Sequence, residues 1–213
     1  MLVEICADGL GAARDAVRAG ADRIELCEDL SCGGITPSHE VLDEAASLGV
    51  PVNVLIRPRG GDFVYNYAEI RSILFNIAYC GNVGVNGVVI GALTPDGRVD
   101  VPLCRDVIDL ARSYGLSVTF HRAIDRTADI MEALDDVLSL GVDRILTSGG
   151  ADSAPEGAAV IRRMVERAAG RAVILAGAGI TPENAVDLVN ATGVTEIHGS
   201  RTTIINAIKK RYG

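Results

Sequence analysis

Ala19-Gly20-Ala21-Asp22-Arg23-Ile24-Glu25-Leu26-Cys27 closes a helix on a glycine and opens a strand almost at once. Glycine suits the left-handed position just past a helix end. In the strand that follows, Glu25 and Cys27 share one face and Leu26 takes the other. The same join recurs at Leu48-Gly49-Val50, Tyr114-Gly115 and Leu140-Gly141-Val142, each just ahead of a strand-like run. Working outward, strand-like runs begin near Leu2, Arg23, Val52, Gly87, Leu116, Arg144, Ala172 and Thr195, with amphipathic helical stretches between them. The repeat averages about 28 residues, one strand and one helix with short loops, so successive strands run parallel through right-handed crossovers. Eight units predict an α/β fold, a (β/α)₈ TIM barrel, as a single domain over residues 1–213.

Helix starts are marked as well. Asp8 is positioned to cap the first helix, and Thr36-Pro37, Asp100-Val101-Pro102 and Thr181-Pro182-Glu183 combine a capping side chain with an early proline. No low-complexity linker or charge block marks a second domain. The least regular stretches, Glu28 to Ser38 and Arg59 to Tyr67, follow the second and third strands. In a barrel such strand-to-helix loops form the C-terminal rim, where ligands bind.

Composition narrows the function classes. With 213 residues, 48% of them hydrophobic, the chain can bury a core without disulfides. Met1-Leu2-Val3-Glu4 enters a strand directly, and no apolar run has the length of a membrane span, so a cytoplasmic protein with no membrane partner is expected. The five cysteines form an odd set with no C-x-x-C pair, which reads as free thiols. Cys80 and Cys104 fall on helices as core fillers. A net charge of -8 and 4% aromatic residues argue against nucleic acid. Only Lys209 and Lys210 are lysines, so no strand supplies a Schiff-base amine.

Strand parity then selects a polar interior. Glu4-Ile5-Cys6, Glu25-Leu26-Cys27 and Glu196-Ile197-His198 each project an acid and a ligand-type side chain on one face. Extending the alternation adds Asn53, Arg57, Thr119 and His121. Helices outside the barrel need the apolar face, so the polar set turns into the lumen. One reading is a self-satisfied network in which the glutamates neutralise Arg57 and the histidines. The number of polar positions beside the productive rim favours a pocket instead.

Cys6 and Cys27 occupy matching places on adjacent strands about 4.8 Å apart, close enough to converge on one soft ion. Cu(I) suits two thiolates, with Cys32 as a third candidate and His198 beside them; Zn(II) would want four ligands or an open fourth position. Ala176-Gly177-Ala178-Gly179-Ile180-Thr181 and Gly199-Ser200-Arg201 follow strands seven and eight, where barrels commonly hold phosphate, and Ser148-Gly149-Gly150 offers a further nest. Arg57, Arg59, Arg122 and Arg201 fall on the same rim and suit a small anion.

Several of these segments together closely resemble the CutC family, named for copper homeostasis. They are Glu4-Ile5-Cys6-Ala7, Ala21 to Cys27, Gly33-Gly34-Ile35-Thr36-Pro37-Ser38, Ile56-Arg57-Pro58-Arg59-Gly60-Gly61-Asp62-Phe63, Thr119-Phe120-His121-Arg122-Ala123, Leu146 to Gly150, and Glu196 to Ser200. The resemblance runs in register along nearly the whole chain. It implies a cytosolic barrel protein, a homo-oligomer with the dimer as the expected state, that binds Cu(I) through cysteines corresponding to Cys6 and Cys27. It implies no known reaction, and the Arg-Pro-Arg-Gly-Gly-Asp and Ser-Gly-Gly strings look enzymatic. Two departures stand out: 13 residues from Arg201 follow the last strand-end motif, which predicts a short final helix and a less completely closed barrel, and Asn76 to Asn82 reads as a surface or interface variation.

Two functions follow as expectations. A copper-homeostasis protein would hold Cu(I) on Cys6 and Cys27, with His198 and the surrounding acids tuning the site. An enzyme acting on a small phosphorylated or carboxylated metabolite would bind its anion with Arg57, Arg59, Ser148, Gly149, Gly177, Gly179, Gly199 and Ser200. His121 would be its acid or base, oriented by Glu25 or Glu196, with Asp62 closing over the ligand. Without lysine, carbonyl polarisation falls to histidine, arginine or a divalent ion. No organic cofactor is expected, and a scaffolding role ranks last.

Overall fold

The computed structural model describes residues 1–212. Strands and helices alternate as β1 (Leu2–Asp8), α1 (Gly9–Arg18), β2 (Arg23–Cys27), α2 (His39–Ala45), β3 (Val52–Leu55), α3 (Tyr67–Val83), β4 (Gly87–Ile90) and α4 (Val101–Ser113). They continue as β5 (Ser117–Phe120), α5 (Ile130–Ser139), β6 (Arg144–Thr147), α6 (Ala158–Ala168), β7 (Val173–Gly177), α7 (Ala185–Thr192), β8 (Glu196–Gly199) and α8 (Thr203–Tyr212). The strands pair in sequence order, all parallel, and β8 pairs back onto β1 through Leu2–Glu196 and Glu4–His198. Every strand opens within one residue of its expected start.

Closure is complete, contrary to the expectation drawn from the brief C-terminal tail. Backbone pairing of β1 with β8 closes the ring, and that pairing needs nothing beyond Gly199. Helix α8 has 10 residues, as α1 and α5 do, and buries Ile204, Ile205 and Ile208.

Two apolar layers follow from the alternation. Ile5, Ile24, Leu26, Val54, Val88, Val118, Ile145 and Ile197 point out under the helices and are fully or almost fully buried. Helix α4 meets them with Cys104, Val107, Ile108 and Ala111, spaced to form one stripe. Each large aliphatic side chain so buried contributes about 1.5–3 kcal/mol. Cys80 and Cys104 sit in this layer as core residues, and burial raises both thiols to about 12.

Helix starts follow the sequence less closely. Asp100 caps α4 by accepting from the Leu103 N–H, and Gly20 ends the α1 turn at φ +89°. Asp8 does not cap α1: β1 runs through it, and its carboxylate accepts from the Asp29 and Leu30 N–H groups of the next rim loop. Thr36 instead receives the Arg57 N–H, so α2 begins at His39, and α7 begins at Ala185 after an Asn184–Thr181 turn. At Asp8 and Thr36 a tertiary partner competes with the local cap, and at α7 a local turn does. Among the described residues no helix is long and apolar enough to cross a membrane.

Candidate functional site in the barrel mouth

Inside the barrel the inward face is polar from the floor upward. At the floor, Arg23 hydrogen-bonds Glu4 through Nε and Glu196 through Nη2, the latter at 2.5 Å, and Arg144 Nε stands 3.3 Å from Glu196. Two arginines thus face two carboxylates in a nearly dry space, a charge-balanced set. Burial pulls the Glu4 carboxyl up, but the hydrogen bond and charge of His198, and then Arg23, outweigh it and hold Glu4 at about 2. Glu196 is thereby committed to the floor and does not orient His121.

One layer higher, His198 Nδ1 lies 2.9 Å from Glu4 Oε1, and its Nε2 faces Glu25 Oε1 at 4.0 Å. Because Glu4 is a carboxylate, Nδ1 carries the proton in that bond. Burial lowers the His198 pKa, yet Glu25 and Glu4 together raise it above its ordinary value. Glu25 is pushed up, chiefly by burial. Cys6 Sγ donates to Glu25 Oε1 at 3.5 Å and touches Cys27 Sγ at 3.6 Å. The contact with Cys27 and then burial push the Cys6 thiol well up. Cys6, Glu25 and His198 offer ligand atoms all within 4.8 Å of one another. Cys27 lies outside that group, fully buried, with its thiol on the Ala7 carbonyl. Cys32 does not join the pair either: the 3₁₀ turn at Leu30–Cys32 turns its thiol to the Asp29 carbonyl, 3.2 Å away.

Above these residues a cavity of about 410 Å³ opens at the C-terminal rim. Its wall includes Cys6, Glu25, Arg57, Phe63, His121, Arg122, Gly179, Thr181, His198, Gly199, Ser200 and Arg201. Three of these carry a buried side-chain atom without a hydrogen-bond partner among the described residues: Glu25 Oε2, Arg57 Nε and His121 Nε2. Such atoms are rare in folded proteins and mark places where a ligand or water completes the set.

His121 is not set up as a base. Its Nδ1 accepts the Ala123 N–H at 3.1 Å, so the neutral ring carries its proton on Nε2. Burial, and then the Arg57 charge, lower its pKa to about 3. Neither Glu25 nor Glu196 touches it; the ring is packed by Phe63 at 4.8 Å. His121 is therefore a neutral ring whose Nε2–H is buried and unpartnered on a residue of the cavity wall.

The arginine-rich string is mainly a self-braced loop. Arg57 donates Nη1 to the Cys32 and Gly34 carbonyls and Nη2 to Gly61, and its guanidinium lies over Phe63 at 4.9 Å. Arg59 is held by Glu69 and Asp62 and by the Val64 carbonyl, and neither Arg59 nor Asp62 lines the cavity. The string positions Phe63 against His121, which parity alone did not indicate. Ser148 and Gly149 also stand apart from the cavity wall. The Ser148-Gly149-Gly150 turn already wraps an internal anion, the carboxylate of Asp125. Gly177 is beneath the wall, where a Cβ would meet Leu146 Cδ1 at 2.6 Å and His198 Cβ at 3.4 Å, so its lack of a side chain seats the imidazole. Gly179, Gly199 and Ser200 do line the cavity. Parity also makes Arg23 legible as inward, two residues before Glu25, whereas nothing local marks Asp125.

Fold and site together define a closed parallel (β/α)₈ barrel with an acid, thiol and imidazole lumen opening on the C-terminal rim. The CutC family's sequence pattern matches residues 1–203, and the chain belongs to that family. A copper homeostasis protein cutC homolog of Homo sapiens is 46% identical over 212 residues, 99% of this chain and 77% of the relative. A family protein CutC of Vibrio campbellii is 44% identical over 202 residues, covering 94% and 82% of the two chains. A crystal structure of CutC from Streptococcus agalactiae superimposes with a TM-score of 0.87 at 34% identity, covering 95% of this chain and 100% of that one.

Proposed function

We propose that the barrel mouth binds and transforms a small anionic metabolite. The observation that carries this reading is that three residues lining one cavity each hold an unpartnered buried polar atom, Glu25 Oε2, Arg57 Nε and His121 Nε2. A folded chain does not leave such atoms unpaired without cost, and each lost partner is worth about 1–3 kcal/mol. A ligand oxygen accepting from His121 Nε2 would recover part of that. The anionic end fits the β7 and β8 loops at Gly179–Thr181 and Gly199–Arg201, where Arg201 and the start of α8 at Thr203 supply positive potential. With no lysine in the lumen, carbonyl polarisation belongs to the neutral His121 or to a metal ion.

Thermal shift against a panel of sugar phosphates and organic acids tests this. A ligand at a hundredfold excess over its dissociation constant adds about 2.7 kcal/mol of stability. Silence across the panel removes the reading.

A second reading, Cu(I) on Cys6 and Cys27, is favoured by their Sγ–Sγ approach of 3.6 Å. Two adjacent thiols suit a soft monovalent ion. Under reducing conditions it requires about one Cu(I) per chain, lost in both Cys6→Ser and Cys27→Ser; retention in both variants excludes it.

A further inference from the structure

At the bottom of the cavity, Cys6, Glu25 and His198 stand in the geometry of an open three-ligand metal centre. Their ligand atoms lie within 4.8 Å of one another, with Cys6 Sγ to Glu25 Oε1 at 3.5 Å and Glu25 Oε1 to His198 Nε2 at 4.0 Å. A tetrahedral ion bound at about 2.0–2.3 Å holds its ligand atoms roughly 3.3–3.8 Å apart, the oxygen–nitrogen edge at the short end. The Cys6–Glu25 edge has that spacing, and the Glu25–His198 edge is longer by about half an ångström, a gap that an ion would close by drawing the two side chains together.

Three further observations point to an ion. His198 reaches the group through Nε2 while Nδ1 is held by Glu4 at 2.9 Å, and Glu4 is anchored by Arg23 and by Asn53 Nδ2. A carboxylate on the far nitrogen is the arrangement that fixes the tautomer and orientation of a metal-bound imidazole. Glu25 Oε2 is buried and unpartnered on a residue that lines the cavity. Charge is compatible with a cation there. The floor, Arg23 and Arg144 against Glu4 and Glu196, is balanced in itself, so a thiolate and a carboxylate above it bring negative charge that a bound cation offsets together with Arg57 of the cavity wall.

We infer that Cys6, Glu25 and His198 bind one divalent transition cation of the zinc type, its fourth position open to the cavity. Mixed sulfur, nitrogen and oxygen ligands suit zinc and disfavour Mg²⁺ and Ca²⁺, which take oxygen. Cys27 packs behind Cys6 and is not a ligand. The inference deepens the proposed function, because the open vertex is where a substrate oxygen would be polarised; binding of the ion is tested apart from any substrate.

The full chain, stripped with chelator under reducing conditions, is titrated with Co(II) and then with Zn(II). Wild type is expected to take up one Co(II) per chain, with the visible bands of tetrahedral cobalt and a near-ultraviolet thiolate charge-transfer band, both removed by one equivalent of Zn(II). Cys6→Ser should lose the charge-transfer band, and Glu25→Gln and His198→Ala should weaken binding at least tenfold. Cys27→Ala should keep one cobalt. Absence of a stoichiometric thiolate–cobalt spectrum in wild type overturns the inference without recourse to any variant, and loss of the charge-transfer band in Cys27→Ala as complete as in Cys6→Ser overturns it as well. Repeating the metabolite panel on stripped and zinc-loaded protein separates the two claims. A ligand response without metal uptake sinks the metal centre alone, and metal uptake without a ligand response sinks the metabolite reading alone.

Discussion

Asp125 places its carboxylate inside the turn that Ser148 opens. Oδ1 accepts from Thr147 Oγ1 at 2.5 Å and from Gly150 N at 3.0 Å, while Oδ2 accepts from Ser148 N and Oγ, both at 3.0 Å. Arg122 closes the circle, donating Nε to Asp125 and Nη2 to Ser148. A glycine-rich turn that resembles a phosphate nest is thus filled by the protein itself.

Asp125→Ala would strand several buried donors at once. At about 1–3 kcal/mol for each unsatisfied group, with some relief from water, the expected loss is about 3–5 kcal/mol in urea unfolding. Asp125→Asn keeps one acceptor oxygen and should cost roughly half as much. A loss under about 1 kcal/mol for the alanine variant would mean that the turn is held by something other than this carboxylate.

The alternation of strands was legible far beyond the motifs. It assigns Glu4, Glu25, His121 and His198 to the lumen because inward and outward facing is a local property with period two. It cannot say which charge meets which, since that depends on which strands close the ring. Arg23 bridges Glu4 and Glu196, residues 19 and 173 positions away along the chain, so the floor is set by closure rather than by any segment. Arg57 and Ser148 show the opposite limit. Both are correctly placed at strand ends, yet their hydrogen bonds go to loop carbonyls and to Asp125, groups whose approach no spacing rule encodes.

Gly91 and His121 make a sharper test of the wall. A Cβ on Gly91 would come within 2.5 Å of His121 Nδ1 and Cε1 and 3.2 Å of the Ala123 Cβ. The imidazole must move for Gly91→Ala to fold, which breaks the Ala123 N–H bond that fixes the tautomer. The expected cost is about 1–3 kcal/mol, as for other overpacked cores. The variant's imidazole nitrogen resonances should shift markedly from wild type. Unchanged resonances and unchanged stability would show that the ring is not held against that strand.

Acid should expose the protonation state of His121. Its pKa is about 3 in the folded chain and 6.5 as the ordinary value, burial and then Arg57 being the causes. Between those values the unfolded chain binds the extra proton and the folded chain does not, so stability rises with pH there and falls as pH drops below 6.5. The slope from this group approaches about 1.4 kcal/mol per pH unit. Above 6.5 the contribution is flat. Nitrogen NMR of the imidazole from pH 8 to 4 should find a neutral ring protonated on Nε2 throughout; titration near 6.5 would contradict the buried, tautomer-locked geometry.

Arg23 ties the floor to the chemistry above it, and its removal should be felt in both places. Replacing it with methionine leaves Glu4 and Glu196 buried with Arg144 as the remaining arginine of the floor, and Arg144 reaches only Glu196. Breaking one partner of a buried ionic set costs about 3–5 kcal/mol. Arg23→Lys keeps the charge but loses the fork that reaches both carboxylates through Nε and Nη2, so it should retain only part of that stability. Because Glu4 also holds His198 Nδ1, the imidazole resonances of His198 should broaden or shift in both variants while those of His121 stay in place. Loss of stability with an undisturbed His198 would separate the floor from the site and leave the arginine a purely structural counter-ion.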